Sequence, residues 1–177
     1  MKAIVAFPVF LVVVIVDQIS KLVAEATLAA TPQPVFGEWF RFVLVYNPGA
    51  AFGLHLGPYS RWIFMALTVG ALFILSRLYR QTEDTDYRRV LAIAAVAAGA
   101  VGNVIDRIRS EYGVVDFIDI GFGAHRWPTF NVADIAVSGG AMLLALVLWH
   151  EERRELALAE AAQTQPVPAP DTPDLAP

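Results

Sequence analysis

The sequence predicts an all-α membrane protein with four transmembrane helices and a small β element at one membrane face. Three observations predict it. Of the 177 residues, 56% are hydrophobic and only 17% charged, with a mean hydropathy of +0.54, beyond what an ordinary soluble domain carries. Four uncharged runs stand apart, Ala3 to Val16, Trp62 to Ser76, Val90 to Ile105 and Ile135 to Trp149. Between the first two lies "FRFVLVY", rich in β-formers and closed by a Pro-Gly turn signal.

Each run is shorter than the ~20 residues that cross ~30 Å of hydrocarbon at ~1.5 Å per residue. Each must therefore extend into its flanks, giving spans at about 3–24, 60–79, 88–108 and 132–151. Arg61, Arg77, Arg80, Arg88 and Arg89 can snorkel beside the second and third runs. Elsewhere the added residues are Asp17, Gln18 and Lys21, then Asp106 and Arg107, then Asn131 and Asp134.

Consecutive spans alternate in direction. All of those carboxylates then fall on one membrane face, together with the two long inter-span segments, 25–60 and 108–131. The other face takes both termini and the loop "RLYRQTEDTDYRR". Seven Lys/Arg lie on the termini side against six opposite, four of the seven in one short loop, so the termini are expected in the cytoplasm. Phe36, Trp39, Phe40 and Tyr46 suit the interfacial zone of the β element. Residues 155–177, Ala/Pro-rich without periodicity, read as a helix extension fading into a disordered tail.

The absence of cysteine excludes thiol catalysis, disulfides and cysteine-ligated zinc. Three scattered histidines without a His-x-x-x-His pair argue against a helical zinc site, and neither metal nor cofactor is expected. The net charge of -4, with no basic stripe, gives no sign of nucleic acid as a partner. The first apolar run has the look of a cleavable signal peptide, but Asp17 and Lys21 sit badly in one.

Five acidic residues need an account: Asp17, Asp106, Asp116, Asp119 and Asp134. Asp17 with Lys21, Asn103 with Asp106 and Arg107, and Asn131 with Asp134 are three or four apart, so each set shares a helical face. Asp17 with Lys21 and Asp106 with Arg107 read as structural ion pairs. Asp116 and Asp134 have no cation at such spacing, and an extended "VVDFIDI" is expected to bring Asp119 to the same side as Asp116. Spacing alone does not choose between Asp116 and Asp119. Two carboxylates sharing a low-dielectric site hold one proton between them, which suits acid and base work on an amide. No Ser-His or Ser-Lys arrangement competes. The residues point to a membrane aspartyl hydrolase, or alternatively to a proton- or ion-coupled transporter with an acidic relay.

"DQISK" at 17–21, "NPGAAFG" at 47–53, "GNVIDR" at 102–107, "VVDF" at 114–117 and "FNVAD" at 130–134 resemble, in order and spacing, the five motif blocks of the lipoprotein (type II) signal peptidases. The resemblance runs from about residue 3 to 150. It implies four spans with an extracytoplasmic β-cradle, here at about 35–57, in a bacterial inner membrane with the site facing the periplasm. It implies a catalytic pair of Asp116 and Asp134, with Asp119 a bystander. Asn47, Gly49, Asn103, Asp106, Arg107, Asn131, Asp17 and Lys21 then shape the site or contact substrate. The implied partners are membrane lipids and a prolipoprotein whose cysteine carries diacylglycerol; the enzyme is expected to be a monomer. Pro48 and Ser20 depart slightly from the family pattern.

Overall fold

The computed structural model describes residues 1–49 and 56–164; residues 50–55 of the expected cradle and 165–177 of the expected tail lie outside the described residues. In chain order the elements are α1 (Lys2–Thr27), β1 (Gln33–Phe36), β2 (Phe40–Asn47), a 3-10 turn (Gly57–Tyr59), α2 (Ser60–Gln81), α3 (Tyr87–Arg109), β3 (Val114–Phe122), β4 (His125–Arg126) and α4 (Val132–Thr164). All four helices are long and apolar enough to cross a membrane.

α3 is the centre of the bundle. Nearly half of its most apolar window is buried (44%), against 6–11% in the other three helices, and it packs on α1, α2 and α4. Its small residues permit this close approach. A Cβ on Gly99 would collide with the Ala133 carbonyl oxygen, and one on Gly102 would stand 2.5 Å from Asp17 Oδ2. Gly139, by contrast, faces open space, so it has no packing role of this kind. The large apolar side chains of α1, α2 and α4, such as Ile4, Phe73 and Met142, point outward, which is the arrangement a lipid solvent favours.

The helix extension expected beyond residue 155 runs as part of α4 through Thr164; Ala, Leu and Glu dominate residues 155–164 and are strong helix formers. One boundary differs from expectation: the cradle is not confined to 35–57. Its strands run β1-β2-β3-β4, all antiparallel, and half of them come from the second inter-span segment. Val114, Val115, Ile118 and Ile120 make β3 a good strand.

Local chemistry sets the register. β2 bulges between Phe42 and Val45, after which Val45 pairs with Asp116 and Asn47 with Val114. Gly113, at φ 104°, lets the chain enter β3 directly against the Asn47 carbonyl, where a Cβ would collide. Phe117, Ala24 and Leu28 form a small core beneath the sheet, with Phe42, Leu44 and Val132 packed on it. At the opposite end of the bundle the terminal amino group meets Asp84 at 2.9 Å, and Lys2 Nζ donates to the Tyr79 and Thr82 carbonyls. Arg89 pairs there with Glu151. The sheet and the charged loop therefore occupy opposite ends, as the alternating spans require.

Candidate active site

Where α1, α3, β3 and the start of α4 converge, five buried polar groups meet. Asp17, Lys21, Asp106, Asp116 and Asn131 are each at most 2% exposed. Such burial is tolerable only when every polar atom has a partner, and the partners explain the sequence spacing.

Lys21 supplies three ammonium hydrogens, and three acceptors receive them: Asp17 Oδ2 at 2.8 Å, Asp106 Oδ2 at 2.8 Å and Asn103 Oδ1 at 2.9 Å. Asp17 and Lys21 pair as expected. Asp106 and Arg107 do not, because neighbours in sequence point about 100° apart on a helix. Asp106 instead binds Lys21 and accepts the Val115 N–H at 3.2 Å, tying β3 to α3. Arg107 turns to the chain after β2, donating to the Gly49 carbonyl at 2.9 Å and to the Asn103 carbonyl at 3.2 Å. The second oxygen of Asp17, Oδ1, accepts the Ala133 N–H at 2.8 Å and so holds the first turn of α4 in place.

Asn131 immediately precedes α4 and closes a reciprocal cap with Asp134. Its Oδ1 accepts the Asp134 N–H at 2.9 Å while its own N–H donates to Asp134 Oδ2 at 3.2 Å. This is a capping box built from Asn and Asp. The N-x-x-D spacing at a helix start is a legible signal for it, which the shared-face reading alone does not use. The cap fixes the carboxylate of Asp134.

Asp116 and Asp134 lie on the wall of one cavity of about 490 Å³, together with Asn47, Asn103 and Arg107. Asp116 accepts from Asn131 Nδ2 at 2.7 Å and Asn47 Nδ2 at 3.0 Å; Asp134 accepts from Asn103 Nδ2 at 2.9 Å. All three amides are locked the right way round by groups that can only donate to their oxygens: the Gly49 N–H, the Asp134 N–H and the Lys21 ammonium. The two carboxylates are thus surrounded by donors. Burial, reinforced by the nearby charge of Asp134, pushes the Asp116 carboxyl up to about 7, although the Asn47 and Asn131 hydrogen bonds oppose the rise.

Asp119 is three residues from Asp116, not on the same side. Side chains alternate along β3, so the two face opposite ways. Asp119 is buried against Arg41 and Arg126, each at 2.6 Å. Burial alone would raise its carboxyl, but the hydrogen bonds from Arg126 and Arg41 hold it below the ordinary carboxylate value. It pins β2 and the β4 hairpin together.

Most of the sequence-identified site residues, Asp17, Lys21, Asn47, Gly49, Asn103, Asp106, Arg107, Asp116, Asn131 and Asp134, therefore form one connected network, while Asp119 stands outside it. Gln18 and the backbone of Val115 also belong to it, donating to Asp17 Oδ2 at 3.1 Å and Asp106 Oδ2 at 3.2 Å. Sequence spacing marks Gln18 only as a flanking residue. Among the described residues no group of three His, Asp or Glu is arranged to hold a metal ion.

Known proteins resemble this chain in sequence and fold. A family model described as signal peptidase (SPase) II matches residues 9–150. The lipoprotein signal peptidase of Burkholderia mallei (strain SAVP1) is 39% identical over 149 residues, covering 81% of this chain and 85% of the relative. That of Burkholderia cenocepacia (strain HI2424) is 41% identical over 147 residues, with the same coverage. A bacterial membrane enzyme solved by the in meso method superposes with a TM-score of 0.75 at 28% identity, over 83% of this chain and 88% of that one. The family match over residues 9–150, the relatives at 39–41% identity and the shared fold agree, and the protein belongs to the signal peptidase II family.

Proposed function

We propose that this chain is an intramembrane aspartyl endopeptidase that removes the signal peptide from diacylglyceryl-modified prolipoproteins by cutting just before the lipidated cysteine. The observation that carries the reading is the placement of Asp116 and Asp134. They come from different elements, line one cavity and are both bound through Asn131. Family membership removes the transporter alternative.

The chemistry follows from a pair that holds one proton. The ionised carboxylate takes a proton from water as the water oxygen bonds to the scissile carbonyl carbon. The protonated carboxyl gives its proton to the carbonyl oxygen, yielding a neutral gem-diol. In collapse, the proton taken from water passes to the leaving nitrogen, the C–N bond breaks, and a gem-diol proton returns to the other carboxyl. The pair ends as it began. Asn47, Asn103 and Asn131 hold the carboxylates. Arg107, through the Gly49 carbonyl, holds the turn after β2 beside the cavity and contacts substrate there.

A site at membrane depth suits a lipidated substrate, since drawing acyl chains into water costs ~0.8 kcal/mol per CH2 group. The enzyme sits in the bacterial inner membrane as a monomer, its termini cytoplasmic and the sheet toward the periplasm. The basic loop beside Asp84 supports that orientation. The direct experiment is incubation of the purified protein with a diacylglyceryl-modified prolipoprotein, reading release of the signal peptide. Failure to release it from a folded protein would refute the assignment.

A further inference from the structure

The two carboxylates of the pair are not bonded alike. Asp134 stands in the first turn of α4, where the positive end of the helix dipole favours negative charge. Its Oδ2 accepts a main-chain N–H, and its Oδ1 accepts from Asn103 Nδ2 at 2.9 Å. The oxygen of that same amide is bound by the Lys21 ammonium at 2.9 Å. An amide whose oxygen is drawn toward a cation is a stronger donor at nitrogen, by ~10–30% per bond in such a chain. Asp116 sits on a strand with no helix dipole. Its donors are two amides, and the Asn131 NH2 is shared with Asn103 Oδ1 and the Val115 carbonyl, each at 3.2 Å.

We infer that Lys21 is a positioning residue for the reaction: it holds Asn103 with its NH2 toward Asp134, and so assigns Asp134 the ionised, water-activating part and Asp116 the proton-bearing part. The inference rests on the peptidase reading above. A purely structural lysine would be complete with Asp17 and Asp106. The third ammonium hydrogen is spent instead on Asn103, one amide away from Asp134. The charged groups facing this centre are Asp17 and Lys21 from α1, Asp106, Arg107 and Arg109 from α3, with Arg109 3.7 Å from Asp106 Oδ1, Asp116 from β3 and Asp134 from α4. Of these, the Lys21 ammonium is the one that reaches the Asn103 side-chain oxygen.

Lys21→Met alone would leave two buried carboxylates unbalanced. The deciding variant therefore combines it with Asp17→Asn and Asp106→Asn, removing the whole ion cluster together, an exchange that protein interiors tolerate. In this folded triple variant we expect KM for the lipidated substrate to stay within about twofold while kcat falls roughly tenfold or more, the range for loss of a polarised donor. Asn103→Leu keeps the Asp17–Lys21–Asp106 cluster and gives a second, independent reading. It should lower kcat by a similar factor, again with little change in KM. Wild-type kcat in either folded variant overturns the inference. Cleavage by Asp116→Asn or Asp134→Asn would instead overturn the peptidase reading itself, so the two failures are distinguishable.

Discussion

Asp116 carries a consequence that can be measured as a function of pH. Its carboxyl keeps a proton up to about 7 in the folded protein, against an ordinary value of 3.8. Between those values the folded state binds the proton and the unfolded state releases it, so this group makes stability fall as pH rises from about 4 to 7. Asp116→Asn should flatten that slope in thermal melts across the window. The same proton serves catalysis in the proposed mechanism, and kcat/KM is expected to decline as pH rises through about 7; a plateau continuing well above 7 would contradict it. Asp119 makes the contrasting case. It binds Arg41 and Arg126 on the far side of β3, so Asp119→Asn should lose ~1–3 kcal/mol of stability yet cleave at near-normal kcat.

At the scale of elements, the start of α4 matters more than its length. The Asn131–Asp134 cap and the Asp17 bond to the Ala133 N–H fix this helix end from two directions. Asn131→Ala removes the cap, which costs ~0.5–2 kcal/mol, and also frees both carboxylates. Its loss of kcat should therefore far exceed what its melting temperature suggests. Gly102 belongs to the same corner. A methyl there would press on Asp17 Oδ2 at 2.5 Å, so Gly102→Ala should impair turnover although it lies on a helix, where alanine is otherwise favoured.

Hydrophobic run length and alternation made the four helices and their common polar face legible, and i to i+4 spacing revealed the Asp17–Lys21 pair. The expected pairing of Asp106 with its sequence neighbour Arg107 failed: Asp106 meets Arg109, three positions on, at 3.7 Å and, more closely, Lys21, 85 positions earlier on another helix. Strand periodicity, counted correctly, separates Asp116 from Asp119. What a single sequence could not yield was the second half of the sheet, because the pairing of β2 with β3 is a long-range match across two intervening spans. The meeting of Asp116 with Asp134 was implied by the family motifs rather than by any local pattern.

At the scale of the whole molecule, the proposed catalysis rests on one buried network set into a four-helix membrane frame. α3 organises it: the helix packs on each of the other three and contributes Asn103, Asp106 and Arg107 to the site. The charged end, with Met1, Lys2, Asp84, Arg89 and Glu151, holds the bundle together at the far side without touching the cavity. Truncation after residue 164 should leave cleavage unchanged, since the family match ends at residue 150. The most direct measurement is signal-peptide release from a diacylglyceryl-modified prolipoprotein by the purified wild-type protein beside Asp116→Asn and Asp134→Asn, each checked for folding and substrate binding. The account predicts release by the wild type and none by either variant; near-normal release by one of them would contradict it.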